Sequence, residues 1–366
     1  MSSTQLYYTL KWPKTPPPIV NGVLRAHVVM MEAWLEEFLW LAEHNYPQDF
    51  YLYADTIKYA TVEEQRNFLL APPIFELMKM ARTQLDSASC CEVIRRYAQD
   101  IQLQQGNALG WTALADSENR LGQGKYLSSV MADSIIVDFD SPYALRMDRT
   151  SSVLSETPLP AQGAVREQIL TKLSDALKLI DEVASTAGQL IRNTTRCIRV
   201  RVSNSTNTAA ETDPNTIGEM RLLNYHFKDK DIIEVADTLI HESLHSFLAM
   251  YELQHGSFVA FSQSSLVRPV SPWSGNPIPY NAFTHAVYIY FALFEFYRLL
   301  YPHLSEAAEK KQVALLMNRC SRGFRVLDLQ RALQMVGKSP DWAMKQYQLM
   351  SQDVQSFYPY SQEAVC

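Results

Sequence analysis

The chain contains few cysteines: five in 366 residues, an odd number, with no pair in CxxC spacing. Adjacent Cys90 and Cys91 cannot easily bridge each other, so a disulfide framework of the kind found in small secreted proteins is not expected. Residues 1–14 lack the basic and apolar segments of a signal peptide. We therefore expect a cytoplasmic protein with reduced thiols.

The chain also lacks runs of basic residues and long apolar segments. Its net charge is −6, its isoelectric point is near 5.8, and no five basic residues follow one another. This composition gives no electrostatic reason to expect binding to nucleic acid or to an anionic membrane. The longest apolar stretch, residues 286–300, contains Glu295 and Arg298 and is too short for a membrane span. We therefore expect neither nucleic acid nor membrane as a partner.

What the chain does have is the composition of a globular protein, with 47% hydrophobic and 20% charged residues. Helical periodicity dominates, and a few short segments have strand character, so we predict an α+β fold that is predominantly α-helical with a small sheet. Residues 164–191 are predicted to form one long helix. Residues 198–202 alternate apolar and basic side chains, which is typical of a half-exposed strand.

A proline-containing connection at residues 155–163 is the best candidate for a domain boundary. It separates a mainly helical region with some strand, residues 1–154, from residues 155–366. The sequence is also compatible with a single domain.

The most informative segment is His241-Glu242-Ser243-Leu244-His245, an HExxH motif. Apolar side chains recur close to a 3.6-residue period over residues 231–254, which predicts one amphipathic helix. Histidines four residues apart project from the same face of a helix, so both imidazoles can bind one metal. Glu242 lies about 100° around the helix from His241, where it can contact a metal-bound water without being a ligand. The motif therefore predicts a metal site.

A third protein ligand must come from elsewhere in the chain. The extended pattern HExxHxxGxxH is absent, because Leu248 and Tyr251 occupy the positions of its glycine and third histidine. His285 is the favoured candidate, since the loop before it is long enough to lay its predicted helix against the HExxH helix. A strand candidate directly before the HExxH helix matches the local layout of zincin-type sites. The alternative third ligands are Glu295, His226 and His255.

Ligand type alone does not select the metal, because imidazoles suit zinc, iron, nickel and copper alike. With zinc, Glu242 would be the general base for a bound water, and the reaction would be peptide hydrolysis. With Fe(II), three protein ligands on one face leave three positions for a bidentate 2-oxo acid and dioxygen.

Further motifs flank the HExxH helix. Gly218-Glu-Met-Arg-Leu precedes it, and Ser271-Pro-Trp-Ser-Gly-Asn-Pro-Ile-Pro279 follows it and leads into Ala282-Phe-Thr-His-Ala286. Together with the motif itself, these segments resemble the HExxH-containing peptide-modification family. Members of that family are 2-oxoglutarate-dependent β-hydroxylases of ribosomally made, post-translationally modified peptides. The similarity covers about eighty residues well and most of the chain thinly.

The resemblance implies that His241, His245 and His285 are the metal ligands, and that Fe(II) and 2-oxoglutarate are the cofactors. It also implies a precursor peptide as the substrate and hydroxylation of a β-carbon in that peptide as the reaction. Glu242 would then orient ligands or water instead of acting as the base.

The chain departs from the family where the loop often carries arginines, at Ser274 and Ile278. If those arginines bind the carboxylate of 2-oxoglutarate, another cation must do so here. A guanidinium suits this role because it can bind a carboxylate bidentately. Among the arginines near the motif in sequence, Arg201 and Arg268 are the preferred cofactor-binding candidates.

The sequence thus predicts an Fe(II)/2-oxoglutarate-dependent peptide β-hydroxylase. One alternative is a zinc metallopeptidase that uses Glu242 as general base. Another is a peptide-binding protein whose metal only stiffens the fold.

Overall fold

The computed structural model describes residues 4–45, 50–51, 54–84, 87–105, 129–132, 134–227, 230–259, 268–326 and 339–357. The chain divides into two compact units. The first, here called the motif unit, comprises Met1–Val23, Leu177–Ile191 and Leu239–Cys366; the second, the sheet unit, comprises Leu24–Ala176 and Arg192–Thr238. Each unit therefore joins segments that are distant in the sequence. The boundary predicted at residues 155–163 falls inside the sheet unit and stays a prediction.

Helices account for most of the described residues. In chain order they are α1 (Gln5–Thr9), α2 (Pro18–Asn45), α3 (Ala54–Lys58), α4 (Val62–Leu69), α5 (Pro72–Gln84), α6 (Ser87–Gln105), α7 (Pro142–Leu145), α8 (Ala164–Val183), α9 (Ser185–Thr194), α10 (Ile232–His255), α11 (Tyr280–Leu300), α12 (Ala307–Val326) and α13 (Asp341–Phe357). None of these helices is both long enough and apolar enough to cross a membrane.

The described strands form a mixed sheet in the sheet unit. They are β1 (Ser129–Met131), β2 (Ile135–Asp138), β3 (Cys197–Arg201), β4 (Ala209–Glu211) and β5 (Glu219–Leu223). Their order is β1-β2-β3-β5-β4, with parallel pairing of β2 to β3 and of β3 to β5, and antiparallel β1 and β4 at the two edges. The predicted α+β fold, mainly helical with a small sheet, is confirmed at this level.

The central strand β3 is buried along its whole length, so the prediction that residues 198–202 form a half-exposed strand is wrong. Its arginines are buried because they have partners. Arg199 lies 2.8 Å from Glu219, which also binds Arg221 at 2.6 Å. Buried ion pairs of this kind place charged residues in a strand that is covered on both faces.

The single helix predicted for residues 164–191 is also wrong. It is interrupted at Ala184, between α8 and α9. Just after the break, the hydroxyl of Thr186 donates a hydrogen bond to the carbonyl of Pro13. This contact involves a segment far away in the sequence, so local periodicity could not reveal the interruption.

Contacts between the two ends of the chain complete the motif unit. The ammonium group of Lys11 lies 2.7 Å from the carboxylate of Asp353 on α13, and Tyr7 donates a hydrogen bond to the same carboxylate. The indole of Trp12 donates to the carbonyl of Ala292 on α11 at 2.8 Å. The first residues of the chain therefore pack with helices that follow the HExxH motif.

Trp273, in the loop before α11, packs closely on α12. Its indole Nε1 donates to the carbonyl of Cys320 at 2.8 Å. A Cβ atom added at Gly323 would overlap the six-membered ring of this indole. Glycine is therefore required at position 323 by the close approach of Trp273.

We predict that Gly323→Ala lowers the free energy of unfolding by about 1–3 kcal/mol, because the added methyl group must displace a closely packed indole. Gly22→Ala in α2 is the matched control, since a Cβ there meets nothing within 4 Å. That change should stabilise the protein by about 0.5–1 kcal/mol through helix propensity. Urea unfolding of the three proteins measures both effects. Equal stabilisation by both substitutions would contradict the packing described for Trp273.

Candidate metal centre

Helix α10 carries the HExxH motif and has a clear signal at each end. The carboxylate of Asp231 accepts a hydrogen bond from the backbone N–H of Glu234 at 2.8 Å, which caps the first turn. After the last residue, Gly256 has a φ angle of +88°, a conformation that favours glycine at a helix end. The predicted helix over residues 231–254 is thus confirmed, and it holds His241, Glu242 and His245 on one rigid element.

Three imidazoles lie side by side in the motif unit. The ring centroids of His241 and His245 are 5.2 Å apart, and those of His245 and His285 are 5.8 Å apart. Imidazoles that bind one metal have centroids about 5 Å apart, because each metal–nitrogen bond is about 2.1 Å. Helices α10 and α11 thus place two pairs of rings, His241 with His245 and His245 with His285, close to that spacing.

The donor set suits a metal, although it is not already arranged around one. Burial, followed by the neighbouring His241 and His285, lowers the pKa of His245 well below its ordinary value. The neutral imidazole is the form that binds metals. Among the described residues, no group of three or more His, Cys, Asp or Glu side chains has converged into a metal-binding arrangement.

His285 has a carboxylate partner on the HExxH helix. Its Nε2 lies 2.9 Å from Oε2 of Glu252. The other oxygen, Oε1, accepts hydrogen bonds from the hydroxyl of Ser257 at 2.9 Å and from the backbone N–H of Phe258 at 2.8 Å. Burial alone would raise the pKa of Glu252, but the hydrogen bond from His285 and the other contacts outweigh it and hold that pKa below its ordinary value. Glu252 is therefore a carboxylate at neutral pH.

Aromatic rings support two of the histidines. Tyr290 on α11 meets His241 edge to face, with centroids 5.9 Å apart and planes at 89°. Trp273 stacks on the other side of Tyr290, at 4.6 Å and 6°. Phe258 meets His285 at 5.8 Å and 87°. The loop residue Trp273 is thus separated from His241 by a single ring, that of Tyr290.

The alternative third ligands lie elsewhere. Glu295 is paired with Arg298 on the same helix, at 2.6 Å and 3.1 Å, and lies ten residues from His285, about 15 Å along the axis. His226 packs on its neighbour Phe227 in the sheet unit. His255, at the end of α10, packs on Tyr251 and lies ten residues beyond His245. Of the candidates weighed from the sequence, His285 is the one that the structure places beside His245.

The two candidate arginines are in different environments. Arg201 belongs to the sheet unit, is 2% exposed, and donates to the carbonyl groups of four residues at 2.6–2.9 Å. Those residues are Ala144, Arg146, Leu154 and Glu156. Burial, followed by Arg221 and Arg146, lowers the pKa of Arg201 to about 10. Through these contacts the side chain of Arg201 links the sheet to the residues before α8.

Arg268 lies in the motif unit and is exposed. Within the part of the chain that the structure describes, it takes part in no ion pair. The role predicted for Arg201 and Arg268, binding the carboxylate of 2-oxoglutarate, stays a prediction for both.

Sequence reasoning missed Glu252, although a signal for it was present. Glu252 lies eleven residues after His241, which is close to three helical turns, so both project from nearly the same face. The contact of Tyr290 with His241 could not be predicted without the relative positions of the two helices.

No protein-family model matches the chain, and no curated protein gives a significant match. The resemblance to the HExxH-containing peptide-modification family therefore stays a prediction. The function must be inferred from the imidazoles and from the groups around them.

Proposed function

We propose that the protein is an Fe(II)- and 2-oxoglutarate-dependent oxygenase that hydroxylates the β-carbon of a residue in a ribosomally made precursor peptide. The main support is the meeting of His241, His245 and His285, contributed by two helices. Three imidazoles bound on one side of a metal leave the opposite positions open for a bidentate oxo acid and for dioxygen. A zincin-like packing of the HExxH helix on a second ligand helix is part of this proposal.

Each residue of the site has a role in the proposal. His241, His245 and His285 hold the metal through one ring nitrogen each. Iron bound together with 2-oxoglutarate supplies the oxidising chemistry. Glu242, which is 6% exposed, orients ligands or water beside His241. Tyr290 contacts the ring of His241 edge to face.

Arg268 is the better of the two candidates for the distal carboxylate of 2-oxoglutarate. It belongs to the same unit as the three histidines, and its exposed guanidinium is available to an incoming anion. Arg201 already donates to four carbonyl groups. Using it for the oxo acid would require breaking some of these hydrogen bonds.

The direct test is an anaerobic reconstitution with Fe(II). We expect one equivalent of iron per chain, a weak visible charge-transfer band on addition of 2-oxoglutarate, and succinate on exposure to air. With a precursor peptide present, succinate formation should be coupled to the gain of one oxygen atom by the peptide. Absence of both the band and succinate in iron-loaded protein would contradict the proposal.

We predict that His285→Ala abolishes stoichiometric metal binding, because the loss of one of three ligands removes much of the affinity. His255→Ala is the matched control and should bind one equivalent like the original protein. Metal analysis after anaerobic dialysis measures both. Stoichiometric binding by His285→Ala together with its loss in His255→Ala would place the third ligand at His255.

Glu242→Gln distinguishes the oxygenase from a zinc metallopeptidase, which is the alternative that the HExxH motif itself supports. In the oxygenase the variant should keep its metal and a measurable rate of succinate formation. In a peptidase the general base acts in the transition state, so its loss should lower the rate of peptide cleavage by several orders of magnitude. The rates of succinate formation and of peptide cleavage are measured for the original protein and for Glu242→Gln, each loaded with iron and with zinc.

We predict that Arg268→Gln raises the dissociation constant of 2-oxoglutarate about 10–100-fold, because a hydrogen bond between charged groups contributes about 1.5–3 kcal/mol. Its stability should be unchanged. Arg201→Gln should instead lower the free energy of unfolding by about 2–3 kcal/mol, since buried carbonyl groups lose their donors. A titration with 2-oxoglutarate, monitored by the charge-transfer band, measures the change in affinity. Urea unfolding measures the change in stability. Unchanged 2-oxoglutarate affinity in Arg268→Gln would rule this residue out.

A further inference from the structure

Glu252 shares the metal-facing side of α10 with the two motif histidines. It lies seven residues beyond His245, which is about 10 Å along the helix axis. His285 occupies this interval, since its ring is 5.8 Å from that of His245 and its Nε2 is 2.9 Å from Glu252. The imidazole from α11 is thus held between a histidine and a carboxylate of one helix.

The carboxylate of Glu252 is itself fixed in place. Its Oε1 accepts hydrogen bonds from the Ser257 hydroxyl and the Phe258 backbone N–H, just beyond the end of α10. Oε1 thus accepts both of these hydrogen bonds, and Oε2 accepts the one from His285. A residue that served only to stabilise the end of the helix would have no need of this second contact.

We infer that Glu252 is the positioning residue of His285: it accepts the Nε2–H of the imidazole and leaves Nδ1 as the nitrogen available to the metal. The inference rests on the proposed function, because it assumes that His285 is a metal ligand. Carboxylates that accept from the second nitrogen of a ligating histidine fix its tautomer and orientation and raise its basicity.

Co(II) is a suitable probe, because it is stable in air and its visible bands report the number of ligands. We expect Glu252→Ala to weaken Co(II) binding about 10–100-fold, the usual effect of removing such a partner. Glu252→Gln should weaken Co(II) binding less, because its amide oxygen can still accept a hydrogen bond from Nε2. Ser257→Ala is the matched control: it removes one of the two contacts of Oε1 and leaves Oε2, so its Co(II) affinity should fall much less than that of Glu252→Ala.

The result that overturns the inference is a folded Glu252→Ala protein, checked by circular dichroism, that binds Co(II) as tightly as the original. Equal losses in Ser257→Ala and Glu252→Ala would also overturn it, since they would show a role confined to the helix end. A change in ligand number in the Co(II) spectrum of Glu252→Gln would show that Glu252 is itself a ligand, which is incompatible with positioning.

A measurement on the unaltered protein keeps the inference testable if the variants fail to fold. Long-range ¹⁵N–¹H spectra of the metal-free protein, with His285 assigned by comparison with His285→Gln, report which ring nitrogen carries the proton. We expect the proton on Nε2, and a proton on Nδ1 alone would overturn the inference. Failure of the proposed function is distinguishable, because it would appear as one bound equivalent of metal without succinate formation, whatever the state of His285.

Discussion

A hydrogen bond links the two helices that carry the candidate site, between Glu252 on α10 and His285 on α11. The HExxH motif can place two imidazoles on one helix face, but it cannot bring in a third. In this protein the third imidazole comes from α11, and its Nε2 lies 2.9 Å from the carboxylate of Glu252 on α10. The site is therefore a property of the packing of two helices as much as of the motif.

Aromatic residues extend this support outward. Trp273 is held by α12 through the carbonyl of Cys320 and stacks on Tyr290, which in turn contacts His241. The loop that carries Trp273 is thus connected to the ring of His241 through one intervening side chain. This packing gives a structural reason for a tryptophan in the loop, independent of any contact with a substrate.

The sequence predicted the elements of this structure better than their environments. The HExxH helix and the pairing of His245 with His285 followed from helical periodicity and from the length of a loop, which are local features. The burial of β3 could not be predicted, because Arg199 is neutralised by Glu219 from a strand twenty residues away. The hydrogen bonds of Arg201 and the contact of Glu252 with His285 likewise require tertiary positions. Local patterns identify which residues form an element, whereas burial and partners are decided by its neighbours.

The joining of the two chain ends in the motif unit has a consequence for synthesis. Leu6 and Leu10 on and beside α1 are fully buried in the finished protein, where Lys11 meets Asp353. Asp353 on α13 leaves the ribosome roughly 20–70 s after Lys11, at translation rates of about 5–20 residues per second. During that interval the contact between Lys11 and Asp353 cannot form. Chaperones, or a tag fused to the N-terminus, can compete for this segment before the unit closes.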